Sequence, residues 1–256
     1  MMKTILNRKE LAILEEIISN LGYIARIEDI NALLAKDYSL QEIRKQISLL
    51  AQRGWLVRIK RGVFAVADLE SHNFANISPL VISRLLLPDS CVSFEFALGQ
   101  HGLFDQFPSR LTAVTPGKPR KFTFQGLEYV YKKIKRDLYF GFEEKTINGG
   151  MANIAELEKV ILDYLYYRTD TYSIDLVMEK LEEGKGDLDP DRLYAYVLKF
   201  PVSVRRRLGF LLDLVGIPTE DLHAVLGSRR DFSKLTGTSD KFNARWRIYY
   251  EDRFDK

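Results

Sequence analysis

Gln41, Arg44, Lys45, Ser48 and Gln52 recur at i, i+3, i+4, i+7 and i+11. A helix through them would gather two amides, a guanidinium, an ammonium and a hydroxyl on one side. Those are the groups that hydrogen-bond to base edges in a DNA major groove and to phosphate oxygens. Just beyond, Arg58, Lys60 and Arg61 add three cations ahead of Gly62. From Ser39 to Gly62 six basic residues (Arg44, Lys45, Arg53, Arg58, Lys60 and Arg61) stand against one acid, Glu42, a local balance of +5 in a chain of net charge +3. That concentration is the electrostatic footprint of a DNA-reading surface. A solvated helix face beside a basic hairpin, or a protein-docking surface, would use the same residue types.

Catalytic chemistry is far less marked. Pro88-Asp89 followed by Glu143-Glu144-Lys145 superficially matches a nuclease pattern in which carboxylates hold Mg²⁺ and a lysine aids the attacking water. The gap is long, and Asp89 falls where a helix-ending turn is expected. Three histidines (His72, His101, His223) show no metal-ligand spacing, and a single cysteine, Cys91, excludes an intramolecular disulfide or thiolate cluster. His101, before Gly102, suits capping or packing, and Cys91 suits a small buried apolar residue. Lys159 and Asp163 stand at i, i+4 on a helical stretch with Glu158, the spacing of an intrahelical ion pair. With no glycine-rich phosphate loop either, no catalytic residue, metal or cofactor is expected.

The elements that must carry the basic face follow from periodicity. Leu11, Leu14, Ile17, Ile18 and Leu21 predict a first helix over Arg8 to Leu21, with Glu10, Glu15 and Glu16 on its other sides and Gly22 behind it. Ile27 to Leu34 predicts a second, with Glu28 and Asp29 in its first turn. Ser39 and Glu42 form a capping box, so a third starts at Leu40, with Leu40, Ile43, Ile47 and Leu50 facing inward and Gly54 ending it. Trp55–Ile59 and Val63–Val66, split by Lys60-Arg61-Gly62, predict a hairpin. Three helices and a hairpin within about sixty residues is the winged helix-turn-helix order. A domain over 1–70 is expected, then a linker over Ser71 to Ser78.

The remaining chain, 76–256, predicts a larger mixed α+β domain with a helical C-terminal half. Leu80 to Leu87 suits a helix stopped by Pro88. Cys91 to Leu103 begins as strand and turns helical, and Leu111 to Thr115 suits a strand. Gln125-Gly126 joins Lys121–Thr123 to Leu127–Tyr131 as a hairpin. Helices are expected over Ala152 to Tyr167, Pro190 to Phe200, Ser203 to Val215 and Thr219 to Leu226, with a β-rich piece over Ala244 to Tyr250. Two basic zones, Lys118 to Arg136 and Arg205 to Arg207, could touch DNA backbone, meet an acidic partner, or be solvated. No uninterrupted apolar run reaches the roughly 18 residues of a membrane span, and the early Glu15 and Glu16 argue against a signal peptide. A cytoplasmic protein is expected.

Gly54-Trp55-Leu56, Arg61-Gly62-Val63-Phe64, Ala97-Leu98, His101-Gly102-Leu103, Val114-Thr115, Ile154-Ala155, Glu158-Lys159, Asp163, Arg207 to Leu212 and, more loosely, Trp246 follow one another in an order that resembles the AbiEi family. These are antitoxins of bacterial type IV toxin–antitoxin pairs, associated with abortive phage infection. The resemblance implies an autorepressor that binds double-stranded DNA at inverted repeats in its own promoter. It also implies functional pairing with a nucleotidyltransferase-type toxin, and leaves open whether that toxin is touched. Gln41, Arg44, Lys45, Ser48, Gln52, Arg58, Lys60 and Arg61 are the expected DNA-binding residues. A winged-helix protein-interaction module and a Mg²⁺-dependent nuclease are the alternatives.

Overall fold

The computed structural model describes residues 5–74, 77–226 and 231–255. The chain is mixed α+β and divides into two compact units, residues 1–88 with 144–152, and residues 89–143 with 153–256.

The first unit opens with α1 (Arg8–Leu21), β1 (Ile24–Arg26), α2 (Ile27–Leu34) and α3 (Leu40–Gln52), followed by β2 (Leu56–Lys60), β3 (Val63–Val66) and α4 (Pro79–Leu86). α1 and α3 both begin on capping boxes, Asn7 with Glu10 and Ser39 with Glu42. Each box satisfies donors the first helical turn cannot satisfy itself. Ile13, Leu14 and Ile17 of α1 meet Ile30 and Leu34 of α2, Ile43, Ile47 and Leu50 of α3, Trp55 just before β2, and Leu56 and Phe64 of the sheet in one core.

Four details depart from the expectations. Three residues, too few to show a period, form β1, which pairs antiparallel with β3 to complete a sheet ordered β1-β3-β2. Leu40 is 55% exposed; it stands in the first turn of α3, outside the core cluster. Glu10, expected on a solvated side of α1, is only 1% exposed and is ion-paired with Arg53 at the end of α3. The expected linker is tied down where it is described; Ala75 and Asn76 lie outside the described residues. Asp68 Oδ1 accepts from the Glu70 and Ser71 amides, the His72 ring lies 4.1 Å from that of Trp55, and Ile77 is buried.

The second unit contains β4 (Cys91–Val92), α5 (Phe94–Gln100), β5 (Arg110–Thr115), β6 (Arg120–Phe124), β7 (Leu127–Lys133), β8 (Phe142–Ile147) and β9 (Gly150–Ala155). They form a six-stranded sheet ordered β6-β7-β5-β4-β9-β8. Residues 144–152, the far end of the β8–β9 hairpin, group with the first unit. α6 (Leu157–Tyr167), α7 (Thr171–Glu183), α8 (Pro190–Val197), α9 (Val202–Leu214) and α10 (Glu220–Ala224) follow. β10 (Ser233–Lys234), β11 (Lys241–Asn243) and β12 (Ile248–Tyr250) close the chain as a small sheet ordered β10-β12-β11.

The helix expected from Ala152 starts instead at Leu157. Ala152 to Ala155 are all buried, and Ile154 pairs with Val92 inside the sheet. An apolar run buried on both faces fits strand or helix equally by sequence. α6 itself is buried at nine consecutive positions, Leu157 to Leu165. Lys159 does pair with Asp163, but in the core, where Asp163 also accepts from the Ser93 hydroxyl at 2.8 Å. Burial holds the Asp163 carboxyl above its ordinary range, with Lys159 opposing. Two of the resemblance motifs meet here: a Cβ on Gly209 of α9 would overlap the ring of Trp246, whose Nε1 donates to Asp213 at 2.6 Å.

Candidate nucleic-acid interface

Gln41, Arg44, Lys45, Ser48 and Gln52 are all exposed along α3, opposite its buried strip of Ile43, Ile47 and Leu50. No ion pair or hydrogen bond with the described residues engages Arg44 or Lys45. The one acid of this helix is occupied. Glu42 Oε2 accepts from the Ser39 amide at 3.1 Å and the Ser39 hydroxyl at 2.8 Å, and Lys9 lies 3.8 Å from its other oxygen. The Ser39 amide, then its hydroxyl, then Lys9 hold the Glu42 carboxyl below its ordinary range. The capping box therefore also secures the nearest anion, leaving the rest of the face cationic.

Arg53, one of the six counted cations, does not belong to that face. Its guanidinium pairs with the buried Glu10, whose Oε2 also accepts from the Asn7 amide at 3.0 Å. It ties the end of α3 to the start of α1.

The wing separates the remaining cations. β2 pairs with β3 through Arg58 opposite Phe64 and Lys60 opposite Val63, with a bulge between Arg58 and Lys60. Register partners share a face, so the bulge turns Arg58 and Lys60 to opposite sides of the hairpin. Arg58 lies 5.7 Å from the Phe64 ring, exposed. Lys60 is half-buried beside the turn, and Arg61 is exposed at it. Gly62 takes φ +75°, open to glycine at little cost. Its carbonyl accepts from the Ile27 amide at 2.8 Å, tying the wing to the first residue of α2.

One further cation escaped the sequence. Arg26 is exposed at the end of β1, and its register partner is Val63, the partner of Lys60 on the other side. Arg26, Val63 and Lys60 thus form one row across the sheet. Recognising β1 was the only route to it.

The basic zones of the second unit differ. Arg205 donates to the carbonyls of Phe200 and Leu198, and Arg206, 1% exposed, reaches Asp231 at 3.0 Å. Arg207 donates to the carbonyls of Leu165 and Lys234, and burial lowers its pKa. That triplet holds the fold together and presents no cationic patch. Lys118, Arg120, Lys133, Lys135 and Arg136 are exposed, whereas Lys121 pairs with Glu128. Of the nuclease-like pattern, Glu144 is paired with Arg84. No group of three or more potential metal ligands occurs among the described residues, and no helix among them is long and apolar enough to cross a membrane.

Residues 12–67, from within α1 to the end of the wing, match the model of a family described as transcriptional regulator, AbiEi antitoxin. This is the family that the sequence resembles. No curated protein matches the chain. Among solved structures, the RV2827C protein from Mycobacterium tuberculosis is similar, with a TM-score of 0.67 and 17% identity over 96% of this chain and 92% of that one. At that identity the likeness is one of fold.

Proposed function

We propose that the chain is a sequence-specific DNA-binding autorepressor and the antitoxin of a type IV pair, reading inverted repeats in its own promoter. α3 enters the major groove with Gln41, Arg44, Lys45, Ser48 and Gln52, and the wing brings Lys60 and Arg61 to phosphate or the minor groove. Arg26 joins them, and Arg58 contributes from the opposite side of the hairpin. One observation carries the reading: α3 keeps Arg44 and Lys45 free while its only acid is bound in a cap. The match to antitoxin regulators over the same residues supports it. In this reading residues 1–70 serve DNA, and the chain from 76 onward serves protection from a nucleotidyltransferase-type toxin in the cytoplasm.

A gel shift of the full chain against its own upstream DNA, beside unrelated DNA of equal length, tests the first part. A specific shift supports repression, and equal affinity for both DNAs overturns it. The second part is tested with the Arg44→Ala/Lys45→Ala double variant expressed beside the neighbouring toxin gene. Survival together with lost promoter binding separates the two roles. Cleavage of the DNA on adding Mg²⁺ would instead favour the nuclease alternative.

A further inference from the structure

The large sheet of the second unit carries a polar face at its β6-β7-β5 end. In the parallel pairing of β5 with β7, Arg110 stands beside Glu128, Thr112 beside Val130 and Val114 beside Lys132. β6 places Lys121 against Val130. Arg110, Lys121 and Lys132 therefore share one side of the sheet. A cavity of about 680 Å³ opens there, lined among others by Arg110, Thr112 and Lys132 of the sheet, Arg168 after α6, and Tyr172 and Ser173 of α7. That volume lies within the roughly 300–1,000 Å³ of small-molecule sites.

Of the three cations in its wall, two already have carboxylates. Arg110 pairs with Glu128, and Glu95 grips Arg168 at two points, 2.7 and 3.4 Å. Lys132 has none within ion-pair distance among the described residues. Its ammonium lies 5.4 Å from the Phe94 ring centroid and 5.1 Å from that of Tyr167. Burial, and next the charge of Arg168, press its pKa down, with the carboxylates of Glu95 and Asp170 opposing. A partly desolvated ammonium with no carboxylate in direct contact is costly to hold, and an anion bound against it would offset that cost. The remaining lining acid, Asp170, is committed as the cap of α7, accepting from the Ser173 amide and hydroxyl at 2.9 Å each. Tyr172 is 60% exposed, leaving ring surface for a planar group.

We infer that this cavity binds a nucleotide by its phosphate, with Lys132 on the phosphate oxygens, Arg110 and Thr112 as further donors, and the Tyr172 ring against the base. A tetrahedral oxyanion suits this set because it can accept from an ammonium, a guanidinium and a hydroxyl at once. The same chemistry is offered by a free mononucleotide and by the phosphorylated end of a nucleic-acid strand. The site uses no residue of α3 and stands whether or not the chain represses transcription.

The test titrates the full chain calorimetrically with AMP, adenosine, inorganic phosphate, and a short single-stranded RNA with and without a 5′-phosphate. AMP is expected to bind at least ~10-fold more tightly than adenosine, the size of one charge-assisted contact. Lys132→Met should weaken AMP by a similar factor with the melting temperature retained, and Tyr172→Ala should weaken AMP but not inorganic phosphate. Tighter binding of the 5′-phosphorylated RNA than of AMP identifies a strand end as the source, and the reverse order a free nucleotide. No binding of AMP or of the phosphorylated RNA overturns the site, as does equal binding of AMP and adenosine, or AMP binding unchanged by Lys132→Met. Should that variant unfold, amine-reactive labelling of Lys132 in the unaltered chain decides. Labelling slowed by AMP and not by adenosine supports the site, and equal labelling overturns it.

Discussion

Arg44, Lys45, Lys60 and Arg61 in the first unit and Arg205 to Arg207 in the second are two short cationic clusters on or beside helices, and in sequence they look alike. In the structure they have opposite surroundings. The first group has no carboxylate or carbonyl partner among the described residues, whereas every arginine of the second is bound by the fold, to Leu198 and Phe200, to Asp231, or to Leu165 and Lys234. Local charge density is thus a poor guide by itself. What decides a cation's role is whether the surrounding backbone and acids already satisfy its donors. Arg53 makes the same point inside the first unit, because its pairing with buried Glu10 gives it a structural role.

The comparison is most sharply tested by another buried cation, as little exposed as Arg206. Lys159→Met should cost the second unit about 3–5 kcal/mol, because it strands the Asp163 carboxylate in the core. Urea denaturation measures it, and a loss no greater than at a surface lysine would break the contrast. Arg206→Ala should cost about 2–4 kcal/mol through lost packing and the lost Asp231 contact, with DNA affinity of the folded protein unchanged. Arg44→Ala should do the reverse, weakening promoter binding by about 1–3 kcal/mol if it contacts a base in two places, with stability unaltered.

Neutralising Lys60 and Arg61 together should flatten the slope of log affinity against log salt by about two, equally for all DNA sequences. An unchanged slope would remove the wing tip from the phosphate backbone. The smallest effect concerns pH. Glu42 titrates lower in the folded chain than in the unfolded one, so its capping contribution is complete above the ordinary carboxylate range. It is lost as pH falls through the depressed folded value. Protection of the Ser39 amide, its exchange rate by NMR relative to the intrinsic rate at each pH, should hold through the ordinary carboxylate range and fall only below it. Protection already lost within that range would show that the box does not hold.

Where the chain carries a strong local rule, the sequence was sufficient. Ser39 with Glu42 located the start of α3, and Gln125-Gly126 located the β6–β7 turn, where φ is positive at both residues. The same signal at Asn148-Gly149 would have disclosed the β8–β9 hairpin, but the apolar run Ile154-Ala155 reads as helix as easily as strand. β1 had too few residues for any pattern. α7 interleaves its buried Ile174, Val177 and Leu181 with Glu179, Glu182 and Glu183, which dilutes its period. The partners of Arg206 and of Glu10 stand 25 and 43 residues away along the chain. No local rule reaches them, so the part of the interface legible in sequence was its residue types, not which of them the fold would leave free.

The hydrogen bond from the Ile27 amide to the Gly62 carbonyl has a thermodynamic consequence. A wing held to α2 before any DNA arrives has little backbone freedom left to lose on association. Complex formation should therefore show the modest negative heat-capacity change of two preformed surfaces meeting, without the large one that accompanies coupled folding. Because the same bond ends on the first residue of α2, strain on the wing tip is passed directly into the helix pair. The fit of the wing to a narrower or wider groove would then alter the seating of α3, letting DNA shape influence affinity at base pairs that no side chain touches.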